Sequence, residues 1–241
     1  MKKKKIYNIF FTIFSICFIL SSLFLLYKII KTNNTKKEIE KSKLSDEVIK
    51  ENTVEKTIDN LKIEYNNNDI IGILSIPNLF NTPVVQTTDN TYYLIHSLNK
   101  DYSVIGNVFL DYRNSINAKQ LNFYGHNSGK YDPPFRKLQN YLNEDFYNNN
   151  KIIELRVLNE VRTYEIFSVK IVEKSSKEEH MNFEYIDNAT WLEHLNKLKN
   201  NSLYQTKTIL NESDNIIVLQ TCIFGINDGK LLIVAGKQIP N

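Results

Sequence analysis

The apolar run from Ile6 to Ile30 constrains the chain most, because so long an uncharged stretch is poorly tolerated in water. Its only charged residue is Lys28, and Phe and Ile recur along it. A helix crosses a bilayer core with about 20 apolar residues. A cleaved secretory signal would have an apolar region of about 7–15 residues before a small-residue cleavage site, and the run fits neither condition. It therefore predicts an uncleaved transmembrane signal-anchor.

Basic residues lie on both sides of this run. Lys2 to Lys5 precede it and favour a cytoplasmic N-terminus, although further lysines after it weaken the contrast. We therefore expect a single-pass protein of the cell membrane whose main domain is extracytoplasmic. The expected segments are a cytoplasmic basic tail at 1–5, the transmembrane anchor at 6–30, a linker and N-terminal helix at 31–68, and a catalytic β-barrel domain at 69–241.

Composition argues for one folded domain with appendages and against nucleic-acid binding. The chain has 241 residues, a formal net charge of +3 and 42% hydrophobic residues. Lysines beside the apolar run account for the basic excess, so the remainder carries no basic patch of the kind that nucleic acids require. Residues 31–68 are polar and lead into an amphipathic helix, which either packs on the domain or forms a stalk.

Short apolar runs bounded by turn residues recur from Asp69 onwards and predict about eight strands. Strands are expected at 70–76, 82–86, 106–112, 119–125, 151–158, 161–172 and in two runs between 215 and 235, with a hairpin turn at Asn159-Glu160. A helical turn is expected at 92–96, and helices at 135–147 and 188–198, the last capped by Asn188. Without repeated βα alternation, this pattern predicts a mainly β fold, a closed or nearly closed barrel with peripheral helices.

The cysteine count draws attention to Cys222. The chain has two cysteines, and Cys17 lies inside the predicted membrane span. The exported part thus holds one thiol and no internal disulfide, which leaves an inert buried residue, a partner in another chain and a reactive group as alternatives. Cys222 ends one apolar strand, and a polar loop separates it from a second that begins at Lys230. Reactive groups are commonly held where a rigid strand meets a loop.

A nucleophilic cysteine needs a base or a cation beside it. His126 is the candidate base, because it too ends a predicted strand, with Gly125 and Gly129 freeing the backbone on both sides. Two strand ends can meet at one mouth of a barrel, so His126 and Cys222 are predicted to converge there.

The other candidates for chemistry are weaker. His194 is expected to be a surface or packing residue of a helix, His180 to lie solvated in a charged loop, and His96 to be a hydrogen-bonded core imidazole. The cysteine and histidine spacings do not suit zinc. No serine elbow motif is present, and Asp111 and Glu144 do not suggest a carboxylate pair.

Several ordered motifs together resemble the sortases. They are Gly106-Asn-Val-Phe-Leu-Asp-Tyr-Arg-Asn114, Tyr124-Gly-His126-Asn127, Leu219-Gln-Thr-Cys222 and a basic residue opening the last strand. The segment Phe109-Leu-Asp-Tyr-Arg-Asn114 and a helix before the cysteine strand resemble class B, the membrane-anchored cysteine transpeptidases of Gram-positive bacteria. The similarity runs from about Asp69 to the C-terminus. It implies an eight-stranded sortase-like β-barrel behind the N-terminal helices.

The resemblance also implies a reaction. Cys222 would attack the carbonyl of a threonine in a sorting motif near the C-terminus of an exported protein, while His126 protonates the departing amine and later deprotonates the incoming one. An amino group of a peptidoglycan cross-bridge precursor would resolve the thioacyl intermediate. Thr221 and Asn127 match motif positions expected to bind substrate. No metal or organic cofactor is implied.

Lys230 departs from the family pattern, which has an arginine at the start of the final strand. Arginine offers a planar fork of donors, whereas lysine is a compact point charge. Losing one oxyanion donor costs about 3 kcal/mol in other enzymes, roughly a hundredfold in rate. Besides an active transpeptidase with Lys230 in a catalytic role, the sequence therefore leaves open a low-activity or inactive sortase-fold binding or scaffolding module, and a hydrolytic cysteine protease.

Overall fold

The computed structural model describes residues 2–51, 53–174, 187–225 and 229–240, and three helices precede its sheet. They are α1 (Lys2–Ser42), α2 (Asp46–Glu51) and α3 (Val54–Tyr65). α1 continues past Ile30 into the stretch expected to be a linker, since residues 31–42 contain no glycine or proline and end in good helix formers. In the described part of the chain, α1 is the one helix long and apolar enough to cross a membrane.

The amphipathic helix of the N-terminal segment is α3, and it packs on the barrel. Thr53 caps it, because its hydroxyl accepts a hydrogen bond from the Lys56 backbone N–H. Its buried side chains Ile58, Leu61 and Tyr65 join one cluster with barrel residues such as Val85. Of the two arrangements left open by the sequence, packing on the domain is therefore the one found for α3.

Eight strands form a closed barrel in the order β1-β2-β3-β4-β7-β8-β6-β5. Neighbouring strands are antiparallel except for the parallel pairs β2/β3 and β4/β7. The predicted mainly β fold with an eight-stranded barrel is confirmed. The strands are β1 (Ile70–Ile76), β2 (Phe80–Val85), β3 (Phe109–Leu110), β4 (Gln120–Tyr124), β5 (Ile152–Val157), β6 (Glu160–Glu173), β7 (Ile216–Cys222) and β8 (Lys230–Ile239).

One predicted strand is longer than the strand found, and the predicted hairpin turn lies one residue too late in the chain. The strand expected at 106–112 is reduced to β3, because Gly106 has a φ of +52° in a turn and Asp111 begins another. In the β5–β6 hairpin Val157 pairs with Glu160, so the two loop residues are Leu158 and Asn159 rather than Asn159 and Glu160.

The predicted helix at 135–147 is divided in two. A 3₁₀ helix (Pro134–Leu142) is followed by α4 (Glu144–Asn149), because Asn143 is extended and its side-chain oxygen accepts a hydrogen bond from the Phe146 N–H. A shorter 3₁₀ turn, Tyr92–Leu94, lies where a helical turn was predicted.

The helix predicted at 188–198 is present as α5 (Asn188–Asn200). Its cap is Asp187 rather than Asn188. The Asp187 carboxylate accepts a hydrogen bond from the Thr190 N–H, and the Thr190 hydroxyl returns to the Asp187 backbone. A carboxylate at this end also interacts favourably with the helix dipole.

Side chains alternate across β7 and β8 between two apolar clusters. Leu219 and Leu232 point into the barrel interior with Phe123 of β4. Val218 and Leu231 belong to a second cluster, formed on the outer face of these strands under α5 around Trp191. Because successive residues of a strand point to opposite faces, this alternation fixes the face on which each residue at the strand ends lies.

Asp111, for which the sequence pattern suggested no particular role, is the centre of a buried polar network. Its side chain is fully buried and accepts hydrogen bonds from Arg113, Asn90 and the Tyr124 hydroxyl at 2.8–2.9 Å. Burial by itself raises the pKa of Asp111, but these bonds outweigh it and hold the pKa below its ordinary value. The motif Phe109–Asn114 thus closes a turn between β3 and β4.

Candidate active site

The parallel pairing of β4 and β7 brings His126 and Cys222 to the same end of the barrel. The last pair of these strands is Tyr124 and Gln220, and His126 and Cys222 each lie two residues beyond it. Neighbouring strand backbones are about 4.8 Å apart. Since Leu219 points inward, Cys222 at the end of β7 belongs to the outer face of the sheet.

Cys222 is the last residue of β7, and its thiol is free and exposed. Its strand partner on β8 is Leu231, which lies in the cluster under α5. A rigid backbone with an exposed side chain is the arrangement that a nucleophile requires. Cys222 is therefore not the inert buried cysteine that the cysteine count left possible.

The ring of His126 is half-buried, and its Nε2 lies 2.9 Å from the Leu94 carbonyl oxygen. A carbonyl oxygen only accepts hydrogen bonds, so Nε2 is the donor in this contact. The Leu94 carbonyl comes from the 3₁₀ turn Tyr92–Leu94, a contact for which the sequence contains no signal.

Gly125 and Gly129 flank this histidine for a different reason from the one expected. Neither has a positive φ among the described residues. A Cβ on Gly125 would lie 2.8 Å from the Phe135 ring, and one on Gly129 would lie 2.6 Å from the Phe224 ring. The two glycines therefore provide close packing of aromatic rings on either side of His126.

Thr221 and Asn127 are at the site but are engaged by the protein itself. The Thr221 side chain is buried, and its hydroxyl donates to the Gly125 carbonyl at 2.8 Å, which ties β7 to the residue before His126. The Asn127 amide nitrogen donates to the Cys222 carbonyl at 2.8 Å. In this geometry both side chains hold the strand ends together.

Known proteins of one family match this chain in both sequence and structure. No family model matches the chain. A crystal structure of Clostridium perfringens sortase B is 30% identical with a TM-score of 0.70, and the match covers 76% of this chain and 99% of that one. A mutant form of that sortase, in which a serine replaces a cysteine, gives a TM-score of 0.73 at 27% identity, covering 86% of this chain and 96% of that one.

Sortase B of Listeria monocytogenes is 29% identical over 65% of this chain and 63% of its own length, slightly under two thirds. Sortase B of Staphylococcus aureus is 27% identical over 73% of each chain. The chain belongs to the class B sortases. The resemblance found in the sequence motifs is thereby confirmed.

In this class B sortase, Lys230 opens β8 but does not lie on the face of Cys222. It pairs with Glu173 of β6, and its backbone oxygen accepts from the Ile223 N–H. Its ammonium is 3.1 Å from the Glu173 carboxylate. By strand alternation its side chain shares a face with Leu232, which points into the barrel.

The other histidines that the structure describes serve packing. His194 is buried, stacks on Trp191 and donates through Nε2 to the Gln120 side chain at 2.8 Å, so it is a packing residue and not a surface one. His96 is half-buried, stacks on Tyr92 and donates through Nδ1 to the Tyr92 carbonyl at 2.7 Å. His180 lies outside the described residues.

A cavity of about 200 Å³ borders His126 on the side of the N-terminal helix. The end of α1 contributes Glu38 and Ile39 to its wall, and the barrel side contributes Val108 and Phe135. Burial raises the pKa of Glu38; the Ser97 hydroxyl opposes that rise, and Asp101 adds to it. The helix that carries the predicted membrane span thus reaches the vicinity of the candidate base.

Proposed function

We propose that this class B sortase is a membrane-anchored cysteine transpeptidase. It cleaves a C-terminal sorting motif of exported proteins through a thioacyl intermediate on Cys222, and it transfers the acyl group to an amine of a peptidoglycan cross-bridge precursor. The observation that carries the proposal is the parallel pairing of β4 and β7, which brings the exposed thiol of Cys222 and the residue His126 to the same end of the barrel.

The chemistry follows from these two groups. The proton of the Cys222 thiol passes to His126, the sulfur forms a bond to the carbonyl carbon of the scissile peptide, and His126 gives that proton to the departing amine as the C–N bond breaks. In the second half, an incoming amine attacks the thioester, His126 takes its proton, the C–S bond breaks, and His126 returns the proton to the departing Cys222 sulfur. No redox change occurs, and the proton given up in the first half is regained in the second, so the pair alone balances the cycle.

The same proposal includes membrane attachment. The apolar side chains of α1 from Phe10 to Ile30 are largely exposed, which a water-soluble helix would not tolerate. We infer that residues 6–30 span the membrane, with residues 1–5 in the cytoplasm and the domain from 69 to 241 outside. Exported proteins and cell-wall precursors would then meet the enzyme at the outer membrane surface.

The decisive experiment pairs Cys222→Ala and His126→Ala with a sorting-signal peptide and an added amine. Each variant should lose cleavage while keeping the circular dichroism spectrum of the parent. In the parent, mass spectrometry should detect an acyl group on Cys222 and an amide product, because an acid product alone would indicate a hydrolase. Full cleavage by the Cys222→Ala variant would exclude the proposed mechanism.

A second candidate is a sortase-fold binding or scaffolding module with little catalytic activity. It is favoured by the engagement of the Lys230 ammonium with Glu173. Its test is the Lys230→Arg variant together with the alkylation rate of Cys222. The binding module becomes the better assignment if Cys222 reacts no faster than a free thiol and the arginine restores no turnover, while sorting-signal peptides still bind.

A further inference from the structure

Three polar side chains near Cys222 form a hydrogen-bonded group. The sequence motifs and the reaction scheme give this group no joint role. They are Asn127, after β4, and Arg136 and Gln139, both on the 3₁₀ helix Pro134–Leu142. We call this group the amide clamp. Its partners on the other side are backbone atoms of Cys222 and Phe224, so the clamp connects the 3₁₀ helix to the end of β7.

Gln139 pairs with Phe224 as a neighbouring strand would. Its amide nitrogen donates to the Phe224 carbonyl at 3.0 Å, and its oxygen accepts from the Phe224 N–H at 3.0 Å. Asn127 adds the bond to the Cys222 carbonyl. The chain therefore stays fixed for two residues past the end of β7, where β8 no longer supplies all of the hydrogen bonds.

Arg136 reinforces the direction in which the two amides point. Its guanidinium donates to the Gln139 oxygen at 3.0 Å and to the Asn127 oxygen at 3.4 Å. Because a guanidinium has only donors, it favours the orientation in which both amide oxygens face it. The Asn127 nitrogen then donates to the Gln139 oxygen at 2.7 Å as well as to the Cys222 carbonyl. Rotating either amide by 180° would turn its nitrogen toward the guanidinium and its oxygen toward a backbone carbonyl oxygen, so Arg136 raises the cost of that rotation.

Aromatic packing adds to the clamp. The Arg136 guanidinium lies 5.5 Å from the centroid of the Phe224 ring, a cation–π distance. The same ring lies against Gly129, where a Cβ would approach to 2.6 Å. Phe224 is thus held both through its backbone and through its exposed ring.

We propose that Arg136 is a positioning residue for Cys222, acting through Gln139 and Asn127. The clamp fixes the backbone from Cys222 to Phe224 and so sets the direction of the Cys222 side chain relative to His126. It also engages the Phe224 N–H, while the Ile223 N–H is bonded to the Lys230 carbonyl. The backbone N–H groups of Ile223 and Phe224, the two residues after the nucleophile, are therefore both held by hydrogen bonds before substrate binds.

The effect on turnover rests on the proposed transpeptidase function, but the effect on the backbone does not. The test therefore uses two measurements on the full chain in detergent micelles, with the variants Arg136→Met, Gln139→Met and the double variant. The exchange rate of the Phe224 amide hydrogen, measured by mass spectrometry, shows whether the clamp is intact. Cleavage kinetics with a sorting-signal peptide show whether Cys222 is correctly positioned.

Each single variant should exchange the Phe224 amide at least tenfold faster and lower kcat about tenfold or more, with KM nearly unchanged, since small misplacements of reacting groups are costly. The double variant should be little worse than either single one, because the three side chains act as a unit. Arg136→Lys should recover part of kcat. The control is Lys137→Met, whose ammonium pairs with Asp132 at the surface and should change neither measurement.

Unchanged exchange at Phe224 in Gln139→Met would overturn the clamp. Faster exchange with parental kcat would leave a structural contact and overturn the positioning role. If the variants exchange faster but the parent itself cleaves no sorting peptide, the clamp stands, while the positioning role fails together with the proposed transpeptidase function.

Discussion

Lys230 and Glu173 form an ion pair at 3.1 Å on the face of β8 opposite to that of Leu231, the strand partner of Cys222. A cation expected beside the nucleophile is thus bound to a carboxylate of β6. The Lys230 and Glu173 side chains are 36% and 62% exposed, so the contribution of the pair to stability is on the order of 0–1 kcal/mol. Its importance lies in the direction that it gives to the Lys230 side chain.

This relationship predicts a small effect of removing Lys230. Lys230→Met should change kcat less than about threefold, whereas loss of an oxyanion donor would cost roughly a hundredfold. Steady-state cleavage kinetics with a sorting peptide make the comparison. The matched control is Glu173→Gln, which frees the ammonium. A hundredfold loss in Lys230→Met alone would show that the lysine turns toward Cys222 during the reaction.

Thr221 offers a prediction that separates structure from substrate binding. Thr221→Val keeps the shape of the side chain but removes the hydrogen bond to the Gly125 carbonyl. Unfolding free energy should fall by about 1–2 kcal/mol, because the partly buried Gly125 carbonyl loses its hydroxyl partner. Urea denaturation measures this change. A raised KM with unaltered stability would instead assign the hydroxyl to substrate.

Much of this barrel follows from local sequence pattern. Short apolar runs with turn residues predict the strands, and Cys222 and His126 are recognised because each ends one of them. The parallel register between β4 and β7 is a long-range property, and local patterns do not specify it. Likewise, the start of β8 at Lys230 can be predicted, but the face that its side chain takes depends on strand pairing.

The amide clamp was missed for a related reason. Arg136 and Gln139 are three residues apart on a helix whose other face carries the buried Phe135, Leu138 and Tyr141. Such spacing places two polar residues on one side, which is ordinary for a surface helix. Their common partners, Asn127 after β4 and Phe224 after β7, come from distant parts of the chain. The segment at 135–147 also showed no sign of the break at Asn143, since asparagine is found both within helices and at their caps.

Trp191 gives a prediction about the outer wall of the barrel. Its side chain is buried in the cluster under α5, and its indole N–H donates to the Asp214 carbonyl at 3.1 Å. Trp191→Ala should destabilise the protein by about 3–5 kcal/mol, as large aromatic deletions do. Thermal unfolding measures the loss. Trp191→Phe should lose much less, because it keeps most of the apolar volume.

The Asp111 network predicts how stability depends on pH. The pKa of Asp111 is lower in the folded chain than the value of about 3.9 in an unfolded one. A group with a depressed folded pKa stabilises the protein above its unfolded pKa, and this contribution is lost as the pH falls through the folded pKa. Stability of the parent should therefore decline below about pH 4.

Asp111→Asn should lower the unfolding free energy at pH 7 by about 2–3 kcal/mol, because Arg113 and Tyr124 lose a charged acceptor while Arg113 remains partly solvated. The variant should also show a shallower decline in acid, since the titrating group is gone. Urea midpoints between about pH 3 and pH 7 test both statements, a range that spans the unfolded pKa. Glu212→Gln, which alters an exposed carboxylate, is the control and should follow the parent curve. If Asp111→Asn and the parent differ by the same amount at every pH, the carboxylate acts through its shape and hydrogen bonds and not through its charge.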